Sequence, residues 1–183
     1  MNSMAFLFRN LDSMPDVIVI EPEVYRDKRG WFKEIHSEES FERVGIGPFV
    51  QDNVSFSSQN VLRGLHFQLP PRAQGKLMHC LAGEIWDVAV DIRKHSPTYG
   101  RWAAEKLSAE NHRMLWLPPG FAHGFVVLSE MALILYKVTS PYTPELDRGI
   151  RWDDPDLAID WPISSPVVSS KDAALPLLKE WAL

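Results

Sequence analysis

The stretch EIWDVAVDI, Glu84–Ile92, alternates along its whole length. Trp86, Val88, Val90 and Ile92 fall on one side; Asp87, Ala89 and Asp91 fall on the other. Successive side chains of a strand point to opposite faces, so a period of two marks a strand with two different environments. Just upstream, KLMHCLAG ends on Gly83, a residue suited to a hairpin turn. Short apolar runs of the same kind recur along the chain: DVIVIEP, GWFKEI, FVQDNVSFS, VLRGLHFQL, GRWAAEKLS, HRMLWLP, AHGFVVLS and ALILYKVTS. Gly, Pro, Asn and Asp separate them. This spacing predicts a mostly β protein, an antiparallel sandwich or barrel. Only SEESFERVG (37–45) and the tail SSKDAALPLLKEWA (169–182) read as helical, the latter interrupted by Pro176.

The chain has 183 residues, which suits a single domain over 1–183 with a real core. Its formal net charge of -5 argues against a nucleic-acid binder, so any affinity for phosphate must come from local Arg and Lys groups. No stretch approaches the roughly 20 apolar residues of a membrane span, and the first residues lack a signal-peptide pattern, so a cytoplasmic location is expected. The single cysteine, Cys80, excludes an intrachain disulfide and reads as a small buried core residue. The Pro- and Asp-rich stretch 141–166 reads as part of a C-terminal segment, 140–183, that wraps the barrel.

Chemistry concentrates in two places. VLRGLHFQLPPRAQGKL (61–77) sets Arg63, His66 and Lys76 among apolar residues, and buried charge is costly unless paired or used. LPPGFAHGF (117–125) contains Pro118, Gly120 and His123 at a spacing that resembles the second half-motif of the cupin β-barrels. In metal-binding cupins the first half-motif carries two histidines and a following glutamate. Here His66 is followed by Phe67 and Gln68, so two histidines stand where a catalytic metal usually needs about three protein ligands. No metal and no cofactor are expected.

Many stretches in order, among them YRDKRGWFKEIHSEESF, FVQDNVSFSSQNVLRGLHFQLPPRAQGKL, GEIWDVAVDIRKHSPTYGRW, LWLPPGFAHGFVVLS, LYKVTSPYTPE, RGIRWDDPDLAIDWPI and SSKD, resemble the dTDP-4-dehydrorhamnose 3,5-epimerase family. The resemblance implies a cupin-like antiparallel β-barrel or jelly roll with a few short helices. It implies epimerisation of dTDP-4-keto-6-deoxy-glucose at C3 and C5, giving dTDP-4-keto-L-rhamnose, by proton abstraction next to the C4 ketone. On this resemblance His66 is the base, Asp172 orients it, Lys76 steadies the enolate and Tyr136 is the acid on the opposite face. Asp87, on the polar side of its strand, is a rival for orienting His66. Substrate contacts carried over by the resemblance are Arg29, Phe32, Glu34, Gln51, Asp52, Asn53, Arg63, His123, Tyr142, Asp147 and Lys171. The first three are expected partly from a neighbouring subunit, in a homodimer that exchanges its N-terminal strand.

Two questions stay open at this level. In a regular pleat Arg63 and His66 point to opposite faces, so either Gly64 forms a bulge that turns both inward or Arg63 reaches around the rim. His79 stands where relatives often have arginine; its alternation with Met78 and Cys80 reads as structural or rim-exposed. The competing functions are an epimerase acting at C3 alone or on another nucleotide-activated 4-keto sugar, and a non-catalytic cupin that binds a nucleotide sugar.

Overall fold

A computed structural model describes residues 5–181. The strands, in chain order, are β1 (Phe6–Leu11), β2 (Met14–Pro22), β3 (Val24–Asp27), β4 (Gly30–Lys33), β5 (Gln51–Ser58), β6 (Val61–Gln68), β7 (Lys76–Ala82), β8 (Glu84–Asp91), β9 (Trp102–Ser108), β10 (Met114–Leu117), β11 (Phe121–Val127), β12 (Met131–Val138), β13 (Asp147–Gly149) and β14 (Val167–Val168). One sheet runs β1-β2-β10-β7-β12-β5 and the other β13-β6-β11-β8-β9, with β14 parallel to β6. All other pairings are antiparallel. The two sheets face each other as a cupin-like jelly roll, so the barrel predicted from the strand spacing is the one observed.

The interior between the sheets is apolar at one end. Met14, Val17, Val19, Met78 and Cys80 of the first sheet meet Ile85, Ala89, Leu107, Phe121 and Phe125 of the second. Cys80 is fully buried, and burial pushes its thiol up to about 11. On β8 it is therefore the Ile85, Asp87, Ala89, Asp91 side that faces the interior. The Trp86, Val88, Val90, Ile92 side packs outward, against Ile150, Leu157, Ile159, Trp161, Leu178 and Trp181 of the C-terminal segment. At about 1.5–3 kcal/mol for each large apolar side chain removed from water, this second core is what holds the tail on the barrel.

The two predicted helices are shorter than their sequence signals. The first is α1 (Glu38–Glu42), preceded by Ser37 as N-cap. The tail contains α2 (Ser170–Ala173), capped by the Ser169 side chain, and after Pro176 a separate 3₁₀ turn, Leu178–Glu180. The strands β3 and β4 form a hairpin apart from both sheets. Among the described residues no helix is long and apolar enough to cross a membrane.

Candidate active site

The site begins with an irregularity in β6. His66 lies opposite His123 and Arg63 opposite Phe125 on β11, so three steps along β6 match two along β11. One extra residue is accommodated at Gly64 and Leu65, a β-bulge. His123 and Phe125 are two apart and share a face, so their partners Arg63 and His66 share it too. Gly64 permits this because it sits at φ +131°, and its Cα approaches β11 so closely that an added Cβ would lie 2.5 Å from Gly124 Cα. The bulge thus resolves the pleat conflict, and both side chains line one cavity.

That cavity, about 210 Å³, is bounded by Ser55, Arg63, His66, Lys76, Met78, His123, Phe125 and Tyr136. A second, of about 360 Å³, shares His66, Lys76 and Tyr136 and adds Gln51, Asn53, Gln74, Tyr142 and Asp147. The walls come from both sheets. His66 and His123 enter from the second sheet; Lys76 on β7 and Tyr136 on β12 enter from the first.

Each polar group is held by a definite partner. His66 Nε2 is 2.8 Å from Asp172 Oδ1, and the other carboxylate oxygen accepts from the Gly64 amide at 3.2 Å. A carboxylate only accepts, so Nε2 carries the imidazole proton and the lone pair is left on Nδ1. Asp172 is 4% exposed. Burial alone would raise its pKa, but the His66 hydrogen bond and charge, the Gly64 amide and Lys171 outweigh it and hold the carboxyl below its usual range. Asp87 does not orient His66. It pairs with His123, whose Nε2 lies 2.9 and 3.0 Å from its two oxygens.

Lys76 is buried, and its ammonium donates to the His66 carbonyl at 3.0 Å. Burial drives its pKa down to about 8, with Asp147 and Asp87 opposing. Burial raises the Tyr136 pKa, with Arg63 opposing, so the phenol stays protonated near neutrality. Arg63 donates to Ser57 Oγ at 2.9 Å, which fixes the guanidinium at the cavity wall. Gln51 donates to Asn53 at 2.8 Å and accepts from the Tyr142 amide at 3.0 Å. Asp147 accepts from Lys171 at 2.8 Å, and Tyr142 is 53% exposed, an open aromatic face beside the second cavity.

Not every expected residue is here. Asp52 lies on the other face of β5, where it accepts from Lys137 at 2.7 Å; period two separates it from Gln51 and Asn53. Arg29 and Phe32 line a different depression on the β3–β4 hairpin, and neither they nor Glu34 line either cavity of this chain. His79 is buried on the outer face of the first sheet, 2.8 Å from Lys33 Nζ. Burial, Lys33 and His112 push its pKa down to about 3, so it does not compete with His66. Sequence reasoning missed Ser55, Gln74, Met78 and Phe125. Ser55 was findable, because Gln51, Asn53, Ser55 and Ser57 share one face of β5 by period two.

The donor set does not fit a cupin metal. Among the described residues no three His, Cys, Asp or Glu converge on one point.

A jelly roll whose inner walls carry a His–Asp pair, a second buried imidazole, a lysine and a tyrosine defines a cupin-type acid–base enzyme. The sequence model of dTDP-4-dehydrorhamnose 3,5-epimerase matches residues 12–180. The dTDP-4-dehydrorhamnose 3,5-epimerase of Salmonella typhimurium is 55% identical over 172 residues, covering 92% of this chain and 93% of its own. That of Pseudomonas aeruginosa is 54% identical over 163 residues, covering 87% and 90%. The crystal structure of the dTDP-6-deoxy-D-glucose-3,5-epimerase of Legionella pneumophila, in complex with dTDP-4-keto-L-rhamnose, superposes with a TM-score of 0.91 at 50% identity, covering 95% of this chain and 93% of that one. The chain belongs to the dTDP-4-dehydrorhamnose 3,5-epimerase family.

Proposed function

We propose that this protein is an isomerase that converts dTDP-4-keto-6-deoxy-glucose to dTDP-4-keto-L-rhamnose by inverting C3 and C5. The observation that carries the reading is one cavity bounded by His66, Lys76 and Tyr136, with Asp172 behind the histidine. Both C3 and C5 flank the C4 ketone, so either proton can leave with its electron pair delocalised onto the ketone oxygen. His66 Nδ1 takes the proton, and Asp172 stabilises the imidazolium that results. Lys76, protonated below about pH 8, stabilises the enolate oxygen. Tyr136 stands on the wall opposite His66, so a ring lying between the sheets meets a base on one face and a proton donor on the other. A non-catalytic binder has no use for this opposition.

Arg63 is suited to the diphosphate, since a guanidinium bridges phosphate oxygens. Gln51, Asn53 and Tyr142 are suited to the nucleoside end of the substrate, with Asp147 and Lys171 steadying the same rim. His123 faces the sugar from the second sheet. A cytoplasmic setting accords with the lone buried thiol.

Deuterium wash-in from D₂O separates the alternatives. Label at both C3 and C5 is expected; label at one carbon would indicate a C3 enzyme, and none a binder. Tyr136→Phe removes only the donor hydroxyl. Exchange should then persist while inversion falls by on the order of 10²-fold. Exchange lost as fully as inversion would make Tyr136 a positioning residue or part of the base.

The protein acts as a homodimer on this reading. Val54 and Phe56 on the edge strand β5 are 62% and 59% exposed, and they adjoin the half-buried Leu133 and Leu135 of β12. The hairpin adds Trp31 at 51% and Phe32 at 65%. Apolar rows of this kind mark interfaces, and a second copy would cover them while bringing its Arg29, Phe32 and Glu34 toward this chain's nucleotide end. Sedimentation should give a dimer at micromolar concentration, weakened by Phe56→Glu; a wild-type monomer would contradict it.

A further inference from the structure

Asp87 has no place in the reaction as derived so far, yet it is a fully buried carboxylate at the heart of the barrel. It projects from β8 between Ile85 and Ala89, and among the described residues it accepts hydrogen bonds from His123 alone. It lines neither cavity; His123 does, so Asp87 lies behind it. A buried carboxylate with one neutral donor is expensive unless its charge is used.

The charge it can serve is Lys76. This ammonium is 8% exposed, and its one hydrogen bond among the described residues goes to a backbone carbonyl. No carboxylate forms an ion pair with it among those residues, so its protonation rests on charges further off. The ionisable groups lining the cavities with it are His66 from β6, Arg63 across the cavity, Tyr136 from β12, His123 from β11 and Asp147 from β13. Asp87 of β8 lies directly behind His123, within reach of the ammonium's charge, and Leu117 of β10, the strand partner of Lys76, is apolar. Asp147 already neutralises Lys171 at 2.8 Å. His123, donating through Nε2, stays neutral and adds no competing charge, because burial lowers its pKa more than Asp87 raises it.

We infer that Asp87 is a positioning residue for the epimerisation: it fixes His123 as the Nε2–H tautomer, and its negative charge keeps the Lys76 ammonium protonated for the enolate. The barrel then carries two His–Asp pairs with different tasks, His66–Asp172 for moving the proton and His123–Asp87 for setting the field at the oxyanion. The inference rests on the reading of Lys76 as the enolate's cation.

The test is the pH dependence of kcat in Asp87→Asn, which keeps the shape and removes the charge. Losing a nearby negative charge disfavours the ammonium, so the basic limb, expected near pH 8, should move down by about one unit. Tyr136 titrates above its ordinary value and does not supply this limb. The loss should be about five- to sixfold at pH 8, approach tenfold above it and be small at pH 6.5, with KM changed less than about threefold. In a Lys76→Arg background, where the cation cannot deprotonate, Asp87→Asn should not move the profile. An unmoved basic limb with Lys76 present, or an equal shift with arginine there, would overturn the inference. Should Asp87→Asn not fold, ¹³C NMR of ε-labelled lysine in the wild-type protein decides: a Lys76 midpoint near 8 supports it, and one near 10.5 or below about 6 overturns it. Failure of the underlying reading looks different, because the wild-type protein would then exchange neither C3 nor C5.

Discussion

His66→Ala should abolish deuterium exchange at both C3 and C5 and cut turnover by about 10³–10⁴-fold, the upper range for a positioned base. Both carbons flank the same ketone, and one imidazole serves both on this reading. No other group in the cavity can replace it. His123 also holds a carboxylate at Nε2, as His66 does, but burial lowers its pKa and leaves it the weaker base. Lys76 is needed as a cation, and Tyr136 stays protonated. The substitution also leaves Asp172 with only the Gly64 amide and the charge of Lys171, so a modest loss of stability should accompany the loss of rate. Binding of dTDP, measured by calorimetry, should change only a few-fold, because Arg63, Gln51 and Asn53 are untouched. Exchange surviving at one carbon while the other falls silent would demonstrate a second base and sink the single-base mechanism.

Gly64→Ala should damage both the fold and the site. The residue lies at φ +131°, and the new Cβ would meet Gly124 Cα at 2.5 Å and the His123 carbonyl oxygen at 2.9 Å. Both obstacles are backbone, so no side-chain rotation relieves them. Backbone strain and overpacking each cost about 1–3 kcal/mol, so a loss of about 3 kcal/mol is expected, or a Tm lower by about 6–12 °C. Turnover should fall by more than 10²-fold in the fraction that folds, because the bulge is what turns Arg63 and His66 to the same face. Gly30→Ala is the control: its φ is +137°, but nothing lies within 4 Å of the added carbon. It reports the conformational penalty without the collision. Equal effects at the two positions would show that close approach of β6 to β11 is not what Gly64 provides.

Period-two alternation, turn residues and one cysteine were enough to read a mostly β barrel with a buried thiol. The stretches that resemble the family singled out His66, Lys76, Tyr136 and Asp172, and the structure places the first three on one cavity with Asp172 bonded to His66. These features are local, and a linear chain records local preferences directly. Asp172 is 106 residues from His66, and here the resemblance supplied what no pattern of residues could.

Tertiary structure decided the rest. Alternation says that two faces of a strand differ, without saying which faces inward. On β8 the carboxylate-bearing face lies inside and the tryptophan-bearing face outside, because the C-terminal segment supplies a second apolar layer. On β5 the polar face of Gln51, Asn53, Ser55 and Ser57 turns inward, leaving Val54 and Phe56 in water. Asp52 therefore points away from Gln51 and Asn53, toward Lys137. Whether Arg63 and His66 could cooperate depended on one extra residue in a strand pairing, which is a property of β6 and β11 together. Asp87 went to His123 rather than His66 because β8 and β11 are adjacent and Asp87 stands opposite Phe125, two residues from His123. The sequence by itself determined which side chains could do chemistry and where the strands lie. The orientation of each face, and hence the assembly of the site, required the pairing of strands far apart in the chain, because only the packed sheets determine which side of a strand is desolvated.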